Sequence, residues 1–194
     1  MVPDAIMWLH NKNGIYSVKS GYHIARLVSK EAIGMMESSR LKRKGLTWPK
    51  LWKYNLPSKI KVFGWRVCQG ILPTKENLSC RKIVEDNSGD FCRQGAESIL
   101  HVLWECGVAQ DVWAGSKVCS QKCTTGRGDI LQLIEDLMAR LTVDDMELFF
   151  VQCWVIWNQR NSVLYGGSIQ DPSQLVRRAE DYLKEYRDAQ DHLL

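Results

Sequence analysis

The stretch from Leu56 to Leu78, LPSKIKVFGWRVCQGILPTKENL, decides the fold because it contains two helix starts. The first start is Pro57-Ser58, where we expect Ser58 to be the N-cap. Behind it, apolar residues recur at helical spacing, namely Ile60, Phe63 and Val67. The second start is Pro73-Thr74, with Thr74 as the expected cap. The stretch therefore predicts two consecutive helices.

Toward the C-terminus the sequence predicts three further helices, over residues 129–141, 144–165 and 172–192. The last has the strongest pattern, because Asp171 is a good cap and Pro172 suits a first helical turn. Its apolar stripe comprises Leu175, Val176, Ala179, Tyr182, Leu183, Tyr186 and Ala189. Together these patterns predict a C-terminal amphipathic helical region.

The adjacent acids Asp144 and Asp145 invite comparison with a two-metal catalytic site, which needs carboxylates held on a rigid strand turn. Thr142 stands three residues before Asp145, and this spacing is typical of a helix N-terminus. Acidic residues are also favoured there by the helix dipole. We therefore interpret the pair as part of a helix cap.

Toward the N-terminus, apolar and polar residues alternate over residues 7–10 and 15–18, on either side of Asn11-Lys12-Asn13-Gly14. This pattern predicts a β-hairpin, followed by a helix from about residue 20 to 36. The expected fold is mainly α, with an N-terminal β-hairpin, a multi-helix domain and a C-terminal helical segment. We expect a module over residues 1–118, a linker over 119–128 and a helical region over 129–194.

Composition indicates an ordinary globular protein, with 45% hydrophobic and 25% charged residues. The N-terminal residues lack the basic segment and apolar core of a signal peptide, and no apolar run reaches the roughly 18 residues of a membrane span. We therefore expect an intracellular protein of the nucleus or cytoplasm that does not bind membranes. The seven cysteines are an odd number and fit reduced thiols or metal ligands better than a disulfide scaffold.

Charge is unevenly distributed along the chain. Residues 40–82 carry twelve basic side chains against one acid, Glu76, whereas acids outnumber bases after Thr124. Such a distribution indicates either an anionic partner for the basic block or an electrostatic contact between the two blocks. Aromatic rings are interleaved with the basic residues, and this combination suits phosphates and unpaired bases, although such rings are often part of a core. The candidate nucleic-acid-binding residues are Lys50, Lys53, Lys59, Lys61, Arg66, Lys75, Arg81 and Lys82.

The most specific chemical pattern is Cys92, His101 and Cys106. Thiolate and imidazole are the ligands that zinc prefers, but structural zinc sites normally have four ligands, so one position remains open. Water, Cys80, which is the nearest thiol upstream, or another residue could occupy that position. Alternatively, Cys92 and Cys106 are small buried hydrophobic residues, and His101 is a hydrogen-bonded interior histidine.

A family resemblance follows from motifs that occur in order along the chain. They are Asp4-Ala5-Ile6-Met7-Trp8, the run from Asn13 to Tyr22, Leu51-Trp52, the run from Leu56 to Leu78, Glu97-Ser98-Ile99-Leu100-His101, Trp104-Glu105-Cys106 and Val112-Trp113. This order resembles the zinc-binding module beside the reverse transcriptase of plant LINE-like non-LTR retrotransposons. Trp157-Asn158-Gln159-Arg160-Asn161 resembles the region that joins the module to a downstream ribonuclease H domain.

The resemblance implies zinc as a cofactor. The family motif is Cys-x2-Cys followed by Glu, His and a final Cys, and its last three ligands map onto Cys92, His101 and Cys106. The first ligand maps onto Gly89, which has no side chain. This departure weakens the site, because a lost thiolate removes part of the free energy that zinc gives to folding.

The expected function is that of a non-catalytic, retroelement-derived accessory module that assists RNA or DNA binding, without polymerase or ribonuclease H domains. The alternative is a metal-free helical module that binds a protein partner or self-associates through its C-terminal helices. We do not expect an enzyme, because no nucleophile, base and orienting group can be assembled from the sequence.

Overall fold

The structure is a computed structural model that describes residues 9, 15, 17–24, 49–89, 95–119 and 129–192. Residues 1–43 and residues 44–194 form two separate compact units. The predicted linker at 119–128 lies almost entirely outside the described residues, so the predicted domain boundaries stay a prediction. None of the helices in the described ranges is long and apolar enough to span a membrane.

Six α-helices form the described part of the second unit. A short helical turn at residues 49–53 precedes them. The helices are α1 (Ser58–Gln69), α2 (Lys75–Cys80), α3 (Gly107–Ala114), α4 (Ile130–Arg140), α5 (Val143–Leu164) and α6 (Pro172–Asp191). The chain is therefore mainly α-helical, as the sequence predicted.

Helix starts agree with the predicted caps in three cases. Thr74 accepts a hydrogen bond from Asn77 N, Thr142 from Asp145 N, and Asp171 from Ser173 N. The Ser173 bonds also lower the pKa of the Asp171 carboxyl. The prediction for Ser58 was wrong, because α1 begins at Ser58 itself and Pro57 holds the N-cap position without a side-chain hydrogen bond.

The N-terminal β-hairpin is a wrong prediction for the residues that the structure describes there. Residues 18–24 are helical, although 15–18 were expected to form a strand. Ser17 Oγ accepts from Ser20 N at 3.2 Å, and Ser20 Oγ accepts from Ser17 N at 3.1 Å. These reciprocal bonds satisfy two backbone donors at a helix start, so local capping outweighs the alternating pattern. Most of the other strand lies outside the described residues.

One hydrophobic core joins the helices of the second unit. Helix α5 lies at its centre, packed against α1, α6 and the segment before α3. Phe149 and Phe150 on α5 are each 1% exposed, and the Trp113 ring of α3 stacks on Phe149 with centroids 5.3 Å apart. Trp113 Nε1 donates to the Leu103 carbonyl at 2.8 Å, so the polar atom of this buried ring is satisfied.

Candidate functional site

The chain doubles back on itself between residues 87 and 97, where the metal pattern begins. Glu97 N donates to the Asn87 carbonyl at 2.8 Å, and Gly89 N donates to the Gly95 carbonyl at 3.2 Å. Ser88 and Ala96 form an isolated antiparallel bridge between them. The predicted ligand Cys92 is among residues 90–94 and lies outside the described residues.

The other two predicted ligands lie at the two ends of one π-helical segment, His101–Glu105: His101 is its first residue, and Cys106 follows its last. Cys106 N donates to the His101 carbonyl at 2.7 Å, which is the five-residue spacing of a π-helix. His101 N donates to Ser98 Oγ at 3.0 Å. His101 is half-buried and Cys106 is fully buried. Such π-helical turns are frequent at functional sites.

The donor set fits zinc in its chemistry but leaves the fourth position open. Two thiolates and one imidazole are suitable zinc ligands. At the position of the family's first ligand, a Cβ added to Gly89 would lie 3.5 Å from Glu97 Oε2. Within the described ranges no three candidate ligands form a metal-binding group, and Cys92 is outside those ranges. Zinc binding by this chain therefore stays a prediction.

A buried ion pair next to this loop was not foreseen from the sequence. The side chains of Glu97 and Arg160 are 2% and 4% exposed. Arg160 Nε donates to Glu97 Oε2 at 3.3 Å, and Arg160 Nη2 donates to Glu97 Oε1. The same Oε1 accepts from Lys75 N at 3.0 Å. Glu97 thus connects the end of the loop, the first turn of α2 and the C-terminal part of α5. Both residues lie in motifs that carried the resemblance, but nothing in the sequence indicated that they pair.

The structure places the predicted nucleic-acid-binding residues in four groups. Lys50 and Lys53 are exposed on the turn at 49–53, while Arg81 and Lys82 are exposed after α2. Lys75 is half-buried at the start of α2. The remaining three lie on α1, where Lys61 Nζ donates to the Trp52 carbonyl at 3.1 Å. The other two, Lys59 and Arg66, are exposed.

The structure brings Lys59 and Arg66 together with α5 across a groove of about 470 Å³. Trp154 and Asn158 are among the α5 residues on the opposite wall. Lys59 Nζ lies 4.6 Å from the centroid of the Trp154 ring and 4.8 Å from that of Tyr182. The groove was not predicted, because its two walls are about ninety residues apart in the sequence.

Comparison with known proteins adds three findings. A family model described as zinc-binding in reverse transcriptase matches residues 16–113, which is half of the chain. A protein of Arabidopsis thaliana named as a ribonuclease H protein is 26% identical over 169 residues, which cover 84% of this chain. The matched region spans 26% of that protein's length. No solved structure matches the chain significantly.

Proposed function

Because this chain belongs to the family of zinc-binding domains in reverse transcriptases, we propose that it is a non-catalytic accessory module that helps to hold RNA or DNA. It is retroelement-derived, as the family match and the ribonuclease H protein both indicate. The observation that carries the proposal is that four basic side chains, Lys50, Lys53, Lys59 and Arg66, are exposed at the surface.

The ion pairs of the described residues support an external partner for this surface. They join Glu97 to Arg160, Asp144 and Glu147 to Arg187, and Glu180 to Lys117. Among these pairs, none involves Lys59 or Arg66. Asp144, Glu147 and Glu180 of the acidic block therefore pair with Arg187 and Lys117, and the exposed Lys59 and Arg66 can neutralise phosphates and release counterions.

In this proposal zinc is a structural ion. Cys92, His101 and Cys106 would hold the ion, and the ion would cross-link the loop at 87–97 to the π-helical segment. The protein groups around it are structural too, because the Glu97 carboxylate is occupied by Arg160 and the Lys75 amide. We propose no catalytic step at this site.

The alternative function, a protein-interaction module that uses the C-terminal helices, stays a prediction. The structure gives it less support, because Leu175, Val176, Ala179 and Leu183 of the apolar stripe are buried. Their partners are α3 and α5 of the same chain. The stripe is therefore already used in the core.

The first experiment measures fluorescence anisotropy of labelled single-stranded and duplex RNA and DNA on the reduced, full chain as salt is raised. We expect binding whose logarithm falls steeply and linearly with the logarithm of salt concentration. Absence of binding at low salt, or binding insensitive to salt, would contradict the proposed function.

Zinc content by elemental analysis is measured on the same preparation. We expect zinc in the wild type, its loss in a Cys92→Ala/His101→Ala double variant, and its retention in Cys80→Ser. The last variant removes the exposed Cys80 thiol on α2, which the family's metal motif does not include. Zinc-free wild-type protein with a cooperative fold would show that this copy has lost the metal. Nucleic-acid binding would then be decided by the anisotropy measurement alone.

A further inference from the structure

The groove between α1 and α5 combines three kinds of side chain: cationic, aromatic and amide. Lys59 and Arg66 supply cations, Trp154 and Trp157 supply rings, and the wall continues into side-chain amides that include Asn158. Its volume of about 470 Å³ lies within the range of about 300–1,000 Å³ for small-ligand sites. No carboxylate lines the groove among the described residues.

Helix geometry places these groups on facing walls. Lys59 and Arg66 are seven residues apart on α1, which is about two turns, so both side chains lie on the same helix face. On α5, Trp154, Trp157 and Asn158 follow the spacing of three and four residues that defines a single face. One wall is therefore cationic, and the other is aromatic and amide-rich.

The aromatic wall is fixed from behind by the buried ion pair. Arg160 is held by Glu97, and its guanidinium carbon lies 5.1 Å from the centroid of the Trp157 ring. Arg160 Nη1 also donates to Asn161 Oδ1 at 2.9 Å, which sets the orientation of that amide at the groove. A preformed wall loses little conformational entropy when a ligand binds.

We propose that the module binds single-stranded nucleic acid in this groove, which accepts one unpaired nucleotide. Arg66 contacts one phosphate, and Lys59 moves off the Trp154 ring, where its Nζ lies 4.6 Å from the ring centroid, to contact the next phosphate. The base then takes the place of the ammonium group against Trp154 and the amide of Asn158. The inference rests on the proposed function and assigns its location. A base within a duplex cannot enter such a groove, because its faces are stacked and its edge is paired.

The test compares two charge-matched double variants of the full chain. Lys59→Gln/Arg66→Gln removes two cations from the groove, and Lys50→Gln/Lys53→Gln removes two exposed cations from the turn at 49–53. The probes are a labelled oligouridine and a labelled RNA duplex of the same length, measured by anisotropy at fixed salt. We expect the groove variant to lose about tenfold or more in affinity for oligouridine, and the control variant to lose several-fold less.

A third variant, Asn158→Ala, leaves the charge unchanged. We expect it to weaken oligouridine binding several-fold without changing the salt slope, and to leave duplex binding unaffected. Tryptophan fluorescence provides an independent readout, because a base against Trp154 should quench the emission of the wild type. Thermal unfolding by circular dichroism establishes that each variant is folded at the temperature of the binding measurement.

The outcomes separate this inference from the proposed function. Wild-type binding with equal losses in the two double variants, and no effect of Asn158→Ala, would overturn the groove and leave a diffuse basic surface as the binding site. Wild-type chain that binds neither probe at low salt would overturn both proposals.

Discussion

At the scale of single residues, Glu97 carries the most structural consequence. Its carboxylate is 2% exposed and has Arg160 and the Lys75 amide as partners. Burying two charges costs free energy that their attraction recovers only while both are present. Loss of either side chain would therefore leave a buried charge without its ion-pair partner.

We predict that Glu97→Ala lowers the free energy of unfolding by about 3–5 kcal/mol, because Arg160 is left buried without its counter-ion. The matched control is Glu180→Ala. Glu180 lies 3.6 Å from Lys117, whose side chain is 86% exposed, and this loss should cost less than about 1 kcal/mol. Urea unfolding followed by circular dichroism measures both changes. Similar costs for the two variants would mean that the buried pair is not the structural link described here.

The residues that sequence reasoning identified correctly act over short distances. Thr74, Thr142 and Asp171 are caps whose partners lie two or three residues away, so the local spacing predicts them. Glu97 and Arg160 are 63 residues apart, and no spacing rule reaches that far. The assignment of Cys92, His101 and Cys106 rests on the family pattern and stays a prediction.

At the scale of elements, the three C-terminal helices were predicted to within one residue at every end. Each has a cap residue at its start and a long apolar pattern behind it. The strand prediction for residues 15–18 was wrong because a short alternating run carries little information. Ser17 and Ser20 instead form a helix cap, which the alternating pattern does not indicate. The π-helical turn has no recognised sequence signal.

Helix α1 approaches α5 closely at Gly64. A Cβ there would lie 3.1 Å from two ring carbons of Phe150 and 3.2 Å from Leu51 Cδ1. Both neighbours are 1% exposed, so neither side chain can move aside freely. Packing therefore requires glycine at this position, and the close helix contact compensates for its low helix propensity.

We predict that Gly64→Ala lowers the free energy of unfolding by about 1–2 kcal/mol, because the overpacking cost exceeds the gain in helix propensity. Gly107→Ala is the control, since no atom lies within 4 Å of its added Cβ. That variant should be neutral, or more stable by up to about 1 kcal/mol. The difference is measured from the urea midpoints of the variants, provided that the unfolding free energy depends on urea with the same slope in each. A Gly64→Ala variant more stable than the wild type would disprove the close packing of α1 on α5.

At the scale of the whole molecule, residues 44–194 form one compact unit. Helices α1 and α3, before residue 119, and helices α4, α5 and α6, after residue 129, share the core around Phe149 and Phe150. The sequence pattern cannot reveal this arrangement, because each helix shows only which of its faces is apolar. It does not show which other helix covers that face.

We predict that α1 and α5 lose their protection against hydrogen exchange together as denaturant is raised, because they belong to one cooperative unit. Native-state exchange read by mass spectrometry resolves peptides from residues 58–69 and 143–164. Peptides from residues 18–24 belong to the other unit and serve as an internal comparison. Separate transitions for α1 and α5 would contradict a shared core.

The position of α5 also determines when the chain can fold during its synthesis. Helix α1 and the loop ending at Glu97 are made first, but the side chains that complete their packing, Phe150 and Arg160, leave the ribosome later. Until then the surface of α1 around Gly64 lacks the Phe150 ring, and Glu97 lacks its counter-ion. The growing polypeptide therefore exposes an apolar, incompletely packed surface that ribosome-associated chaperones can bind. A gene copy truncated before residue 143 would yield a chain that lacks α5 and cannot complete this packing.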